Sequence, residues 1–404
     1  FAYSFLHPTT GGVDISYHSV GSSAGKRWIV DGSRRCDGAR PCVTLDWAAS
    51  DSLLTESDYA AQPDLQMFPT LAGAVVPIFN LPNHTEGEGQ DLLLTPTLVS
   101  KIFRGAVTRW DHPEIVSINP LLALPAERIL LCVRADGSGT TEIFKKALSA
   151  FEQEFKEQVG ADSGTRWGLA NVTRRRLNSG VATYVAHTPY SLGYSVLAEA
   201  ESAGLPFAAL LKGDHRVRAS PTSVAYALAE LGLEIGNERE VLTADVHNAL
   251  GLMAWPICGY TYLVMRTNPL PAEVPGSSLE TRRAVVYFWR WFYTHPQGVV
   301  ARLAAKNGFA PLPPIVSEKV LPFLLKSIRW QGVPVALPEP KPSLTVVGPV
   351  WLSSAFEQLG IIYEQDPHSN AETSYAVVKD GKQELFWRCS ARAASRARRP
   401  PPRA

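Results

Sequence analysis

Arg134-Ala-Asp-Gly-Ser-Gly-Thr140 joins an apolar run, Ile129 to Val133, to a segment of helical periodicity, Thr141 to Phe155. A strand thus gives way to a helix across a turn of two glycines, two hydroxyl residues, an acid and a guanidinium. Helix N-termini carry unpaired N–H groups and the positive end of the peptide dipole, and residues without bulk let an anion approach that backbone. Gly137, Ser138, Gly139 and Thr140 supply such a terminus. Ser138 and Thr140 add hydroxyls, Arg134 adds a planar fork suited to two oxyanion oxygens, and Asp136 is spaced to hold that fork. Taken alone, the heptapeptide is equally a glycine turn with a Ser or Thr cap and a surface ion pair.

A second stretch has the same character. Tyr17 to Lys26 reads as strand, glycine-serine turn and helix, with Ser22 flanked by Gly21 and Ser23. It is no P-loop: Gly21 stands one residue too close to Gly25-Lys26, and Arg27 replaces the magnesium-binding Ser or Thr. Nor does Gly137-Ser-Gly-Thr-Thr-Glu142 complete a dinucleotide fingerprint. Two small-residue cradles on separate strand-helix junctions point to one oxyanion held between two lobes. The third element is Ser50-Asp51, a carboxylate after an apolar stretch. A carboxylate belongs in an anion site when the anion carries a proton. Hydrogen phosphate can donate its O–H to Asp51, whereas sulfate sets lone pairs against lone pairs. An unmet buried polar group costs roughly 1–3 kcal/mol, more when charged, and a site that demands a hydrogen bond can discriminate by about 10⁴ to 10⁵. From spacing alone, Asp51 serves equally well as an N-cap for the residues after it.

Composition excludes several classes. The 404 residues are 45% hydrophobic, enough for a sizeable core and more than one folding unit. Lys and Arg (39) balance Asp and Glu (38), so nothing in net charge argues for a nucleic-acid or membrane-surface partner. No apolar run reaches the roughly 18–20 residues of a membrane span, which argues against direct membrane insertion. The chain starts at Phe1 with no signal-like segment and reads as a fragment. None of the five cysteines has CxxC spacing, so a structural zinc is not expected. Cys36 and Cys42 bracket a loop short enough for a disulfide hairpin in an oxidising compartment, or are free loop thiols. Two sequons, Asn83-His-Thr85 and Asn171-Val-Thr173, add to an extracellular reading.

Along the chain, short apolar runs alternate with amphipathic stretches, the pattern of an α/β protein. Strands are expected at Val13–Tyr17, Gly73–Phe79, Ile129–Val133, Leu192–Val196 and Tyr260–Met265. Helices are expected at Leu98–Phe103, Thr141–Phe155, Val181–Ala186, Ser223–Leu231 and Glu280–Tyr293, the last capped near Ser278. Residues 331–343 are proline-rich and read as an extended linker. Beyond it, 344–387 opens as strand, turn and helix, and Ala371–Val378 parallels Val13–Val20, which suggests the start of a second copy. Residues 388–404 are an Arg/Pro/Ala tail without periodicity, disordered or artefactual.

These motifs resemble the phosphate-binding proteins of bacterial ABC-type uptake, in the type II periplasmic-binding-protein class. The resemblance rests on Gly21-Ser-Ser-Ala-Gly25, Ala49-Ser-Asp51, Phe68–Val76, Gly105 with Arg109-Trp-Asp111, Arg134–Thr140, Ser191-Leu-Gly-Tyr194 and Trp255-Pro-Ile257, in family order over about residues 13–320. It implies two α/β lobes with mixed sheets covered by helices, joined by two crossover strands and closing on one phosphate. Residues 1–330 would form this domain, with lobe 1 at about 1–78 and 262–330 and lobe 2 at about 79–261. Ser22 and Asp51 would bind from lobe 1, and Arg134, Ser138, Gly139 and Thr140 from lobe 2. Gly21, Ser23, Asp136, Gly137 and Ser179, the last within Asn178-Ser-Gly180, would support them. The family's first strand and its phosphate-binding turn lie before Phe1, and Val346-Val-Gly-Pro-Val-Trp351 resembles that missing piece. Residues 344–363 would then open the next repeat or dock back onto the first lobe.

The resemblance implies a non-catalytic binder without a cofactor, outside the cytoplasm in the periplasm, at the cell surface or in the medium, with phosphate as ligand and a membrane transporter or receptor as partner. A repeat that has kept the fold and lost its ligand is the alternative. A phosphatase has less support, because there is no HExxH and the nine histidines are scattered, as in His7-Pro8 and His112-Pro113.

Overall fold

The computed structural model describes residues 20–31, 34–35, 43–82, 84, 91–232, 242–269, 274, 277–294, 298–335, 343–347, 372–379 and 382–388. The chain divides into two units, His18–Val335 and a smaller one combining Phe1–Tyr17 with Ala336–Ala404. Residues 1–17, expected in the first lobe, lie outside the described residues.

In the larger unit a seven-stranded mixed sheet runs through both lobes in the order Ala48–Ser50, Cys258–Arg266, Leu65–Phe79, Ser191–Val196, Leu130–Arg134, Thr173–Arg175, with Phe309–Pro311 also on Leu65–Phe79. The 15-residue strand Leu65–Phe79 is its spine. Leu65–Ala74 pairs antiparallel with Cys258–Arg266, and Val75–Phe79 pairs antiparallel with Ser191–Val196. The chain thus changes lobe at Ala74/Val75, inside a strand, and returns just before Cys258. Trp255 staples this point: its indole N–H donates to the Val75 and Ile257 carbonyls at 3.0 and 3.1 Å, and Val75 N–H donates to Ile257 O at 2.8 Å.

The spine begins eight residues before Gly73, the expected start. Pro69 lacks a ladder donor and reads as a strand breaker. A bulge accommodates it: Thr261 pairs with Leu71 and Tyr262 with Pro69, so Thr70 is skipped. The expected helix Thr141–Phe155 is two helices, Gly139–Phe151 and Gln153–Gln158. Glu152 leaves helical geometry between them (φ −148°), and its carboxylate takes both prongs of Arg104 at 2.8 Å. The other strands and helices expected from the sequence and described lie within four residues of expectation, and Ser278 Oγ accepts the Thr281 N–H at 3.1 Å as the cap of Leu279–Thr294. His112 caps Pro113–Val116, its Nδ1 accepting from Glu114 N–H at 3.3 Å.

Of the expected linker 331–343, residues 331–335 and 343 are described. Residues 329–334 form a hairpin, Trp330 opposite Val333, turning through Gln331 and Gly332 at φ 50° and 80°. Val335 is then buried and its N–H donates to the Ile328 carbonyl at 3.0 Å. Proline density had masked the turn. In the smaller unit, Ser343–Val347 pairs parallel with Glu372–Lys379, which pairs antiparallel with Lys382–Arg388. The last of these crosses the expected 387/388 boundary by one residue. The strand Val13–Tyr17, the cysteines 36 and 42, Asn83 and the tail beyond 388 lie outside the described residues. Arg34–Arg35 and Val43–Thr44, which flank the two cysteines, pair antiparallel. Among the described residues no helix is long and apolar enough to cross a membrane, and no group of His, Cys, Asp and Glu could hold a metal ion.

Candidate functional site

Two helix N-termini meet across the lobes. In lobe 1, helix Ser22–Val30 starts at Gly21, whose φ of 82° and ψ of 156° favour glycine. In lobe 2, helix Gly139–Phe151 starts from Ser138, whose Oγ accepts the Thr141 N–H at 3.3 Å while its carbonyl takes Glu142 N–H at 3.1 Å. The N–H groups of Gly139 and Thr140 are left at the terminus, where no intrahelical acceptor exists. The approach is close enough to require glycine. A methyl on Gly139 would lie 2.6 Å from Asp51 Cβ and 2.7 Å from Ser22 Oγ, and one on Gly137 would collide with Ser23 Oγ.

Ser22 Oγ accepts the Asp51 N–H at 3.2 Å, so its own proton is available to another acceptor. Asp51 follows the edge strand Ala48–Ser50, and its Oδ1 accepts from Thr261 Oγ1 at 2.7 Å. Burial pushes the Asp51 carboxyl above its ordinary value, and Glu142 adds to this. The Thr261 hydrogen bond and the Arg134 charge oppose it.

Arg134 ends the strand Leu130–Arg134 and is 3% exposed. Its Nε and Nη2 donate to Asp136 at 3.0 and 2.6 Å, and Nη1 donates to Asn178 Oδ1 at 2.7 Å. Three of the five guanidinium protons are thereby fixed and two remain for a ligand. Asp136 also accepts Leu177 N–H at 3.0 Å. Burial raises its pKa, but the Arg134 and Leu177 bonds outweigh that and hold it below the ordinary value. Asn178 Nδ2 reaches Thr140 Oγ1 at 3.4 Å, linking the guanidinium to the helix terminus. Below them Tyr194, buried and stacked on Phe144 with centroids 4.5 Å apart, shares its hydroxyl with Thr141 Oγ1 at 2.7 Å and Arg134 N–H at 3.3 Å.

Ser22, Asp51, Arg134, Ser138, Gly139 and Thr140 thus line one junction, with Gly21, Ser23, Asp136 and Gly137 against them. Ser179 is exposed in the first turn of helix Leu177–His187 and makes none of these bonds. Its neighbour Asn178 does. Leu177 adopts φ 59°, which turns both the Leu177 N–H and the Asn178 amide toward the Arg134 cluster. Asn178, Thr261 and Tyr194 are the site residues that the motifs did not assign. Chemically the junction offers hydroxyl and backbone donors, one positive charge already neutralised by Asp136, and one carboxylate. It suits an oxyanion that can donate a proton.

A family model described as the PBP superfamily domain matches residues 8–293. The phosphate-binding protein PstS of Xylella fastidiosa (strain 9a5c) is 31% identical over 311 residues, covering 76% of this chain and 77% of that protein. PstS of Methanocaldococcus jannaschii is 32% identical over 305 residues, covering 73% and 74%. A high-affinity periplasmic phosphate-binding protein solved with bound phosphate shares the fold, with a TM-score of 0.60 and 18% identity over 79% of this chain and 89% of its own. The chain belongs to the PBP superfamily, among the PstS-type solute-binding proteins, and is a binder rather than an enzyme.

Proposed function

We propose that the chain binds inorganic phosphate as hydrogen phosphate, between the helix terminus at Gly139–Thr140 and the Ser22–Asp51 wall, with lobe closure as its output. Ser22, Asp51, Arg134, Ser138, Gly139 and Thr140 would be the ligands, with Asp51 Oδ2 accepting the phosphate O–H. The observation that carries this is the facing of a helix N-terminus by a carboxylate, with Arg134 already paired to Asp136. Such a site attracts an anion through dipoles and rejects one lacking a proton. The PstS relatives, which are phosphate-binding proteins, support the same ligand.

The finer reading is a module working outside the cytoplasm beside a membrane transporter or receptor, since a ligand held by both lobes favours the closed form that a partner can read. Exposed Asn171, in its sequon, would be open to glycosylation there, and a Cys36–Cys42 disulfide would be compatible with the same compartment. The parallel pair Ser343–Val347 and Glu372–Lys379, with 24 residues between them, supports a second repeat opening as strand, crossover and strand. Calorimetric titration of ligand-stripped full chain with phosphate and with sulfate tests the function. Micromolar or tighter phosphate binding, with none for sulfate, is expected; a folded chain that takes up neither would sink the reading in favour of a repeat without ligand.

A further inference from the structure

Thr261 lies 210 residues from Asp51 in the chain and touches it because the edge strand Ala48–Ser50 pairs antiparallel with Cys258–Arg266, Ser50 opposite Tyr262, which sets Asp51 beside Thr261; the bulge in the spine strand falls at the same point, between Thr261 and Tyr262. Pro69 offers no N–H, the pairing skips Thr70, and the freed Thr70 hydroxyl donates to the Thr261 carbonyl at 2.7 Å. The Pro69 carbonyl is taken by the Tyr293 hydroxyl, also at 2.7 Å. The Thr261 carbonyl is therefore held by a side chain of the neighbouring strand, and the bulge beside it is held by the Tyr293 helix through Pro69. Bulges of this kind re-aim side chains, and here Thr261 Oγ1 donates to Asp51 Oδ1 at 2.7 Å.

We propose that Thr261 is a positioning and specificity-determining residue: it occupies Asp51 Oδ1, leaves Oδ2 alone to face the ligand, and keeps that oxygen an acceptor. This rests on the phosphate reading above. The chemistry turns on which atom carries the proton. An ionised Asp51 accepts the O–H of hydrogen phosphate at Oδ2. A neutral Asp51, with Oδ1 accepting from Thr261, holds its own proton on Oδ2 and becomes a donor, to which sulfate is as acceptable as phosphate. Burial and Glu142, on the lobe 2 helix, favour the neutral form, while Thr261 and Arg134, at the end of the lobe 2 strand, favour the ionised one. Of the two, only Thr261 also fixes the direction of the carboxylate through a direct hydrogen bond to it. Its hydroxyl is the group whose loss would exchange an acceptor for a donor without altering the charge of the site residues by substitution.

The test compares full-length wild type, Thr261→Val, Thr261→Ala and Thr261→Ser, each checked for folding by thermal unfolding. Phosphate and sulfate affinities are measured by calorimetry across pH, and Asp51 is titrated by carboxyl ¹³C NMR in the ligand-free proteins. Losing a hydrogen bond to a charged group corresponds to about a tenfold to hundredfold change. Thr261→Val and Thr261→Ala are expected to bind phosphate that much more weakly, to lose at least about tenfold in the phosphate-to-sulfate ratio, and to titrate Asp51 at higher pH. Thr261→Ser is expected to restore all three. A folded Thr261→Val or Thr261→Ala protein with the wild-type ratio and the wild-type Asp51 titration would overturn the proposal, as would equal loss for both anions. Wild type that binds no phosphate would overturn the underlying phosphate reading, whereas an Asp51 titration unchanged by Thr261→Val would overturn the positioning role itself. The Asp51 titration separates the two failures, because it is read without ligand.

Discussion

Gly139 stands so close to Asp51 that a methyl group added to it would come within 2.6 Å of the Asp51 Cβ. The two residues belong to different lobes, so the missing side chain sets how nearly the lobes can close. Its neighbours there include Ser52 N, at 2.7 Å from the same added methyl, which is backbone and cannot swing aside. Gly139→Ala is therefore expected to weaken phosphate binding at least tenfold, about 1.4 kcal/mol, through a displaced closure. Calorimetry and small-angle scattering with and without phosphate check it; a wild-type affinity in the variant would show that closure does not need this contact.

Asn178 accepts from Arg134 Nη1 and reaches Thr140, whereas Ser179 is exposed. Asn178→Ala removes the acceptor of a part-buried charge-assisted bond, worth about 1.5–3 kcal/mol at most, and should lower both phosphate affinity and melting temperature. Ser179→Ala should change neither. Parallel titrations and thermal melts of the two variants decide it, and equal effects would contradict the assignment.

Asp51 gives stability a pH dependence of known sign. Its folded pKa lies above the ordinary 3.8, so between the two values the native state holds more proton than the unfolded one. Its contribution to unfolding free energy therefore falls as pH rises through that window and stays low above it. In ligand-free protein, Asp51→Asn should remove this decline, leaving the variant relatively more stable at neutral pH than at pH 3. Denaturant unfolding of both proteins across pH measures the difference.

Leu177 holds φ 59°, a left-handed position costing an ordinary residue roughly 1–2 kcal/mol. Leu177→Gly should relieve the strain while keeping the N–H bond to Asp136. Stability should rise, or at worst hold where lost side-chain contacts and the added unfolded-state freedom offset the gain, with phosphate affinity within about twofold by the same backbone argument. A marked affinity loss in calorimetry would mean that the leucine side chain shapes the site.

How far this was legible in the chain depended on whether the signal was local. Arg134–Thr140 carries its own strand, turn and cap, and Gly21–Gly25 does likewise, so both cradles could be read from a few consecutive residues. The Arg134–Asp136 pair is two residues apart and equally local. Asn178 was obscured because Asn178-Ser-Gly180 announces only a turn, and the inward residue depends on the unusual φ at Leu177. Thr261 gave no signal: it reaches Asp51 through the antiparallel pairing of two strands about 210 residues apart, Ser50 opposite Tyr262, which no local pattern announces. Prolines misled twice, at Pro69 within a continuous strand and at Pro334 within a hairpin, since tertiary pairing overrode their breaking tendency.

The most direct test is a structure of the full chain crystallised with phosphate. The account predicts one phosphate between Ser22 and Thr140, an oxygen within hydrogen-bond distance of Asp51 Oδ2, two oxygens on Arg134, and Thr261 still bonded to Asp51 Oδ1. Phosphate bound elsewhere, or a junction that stays empty at saturating phosphate, would contradict it.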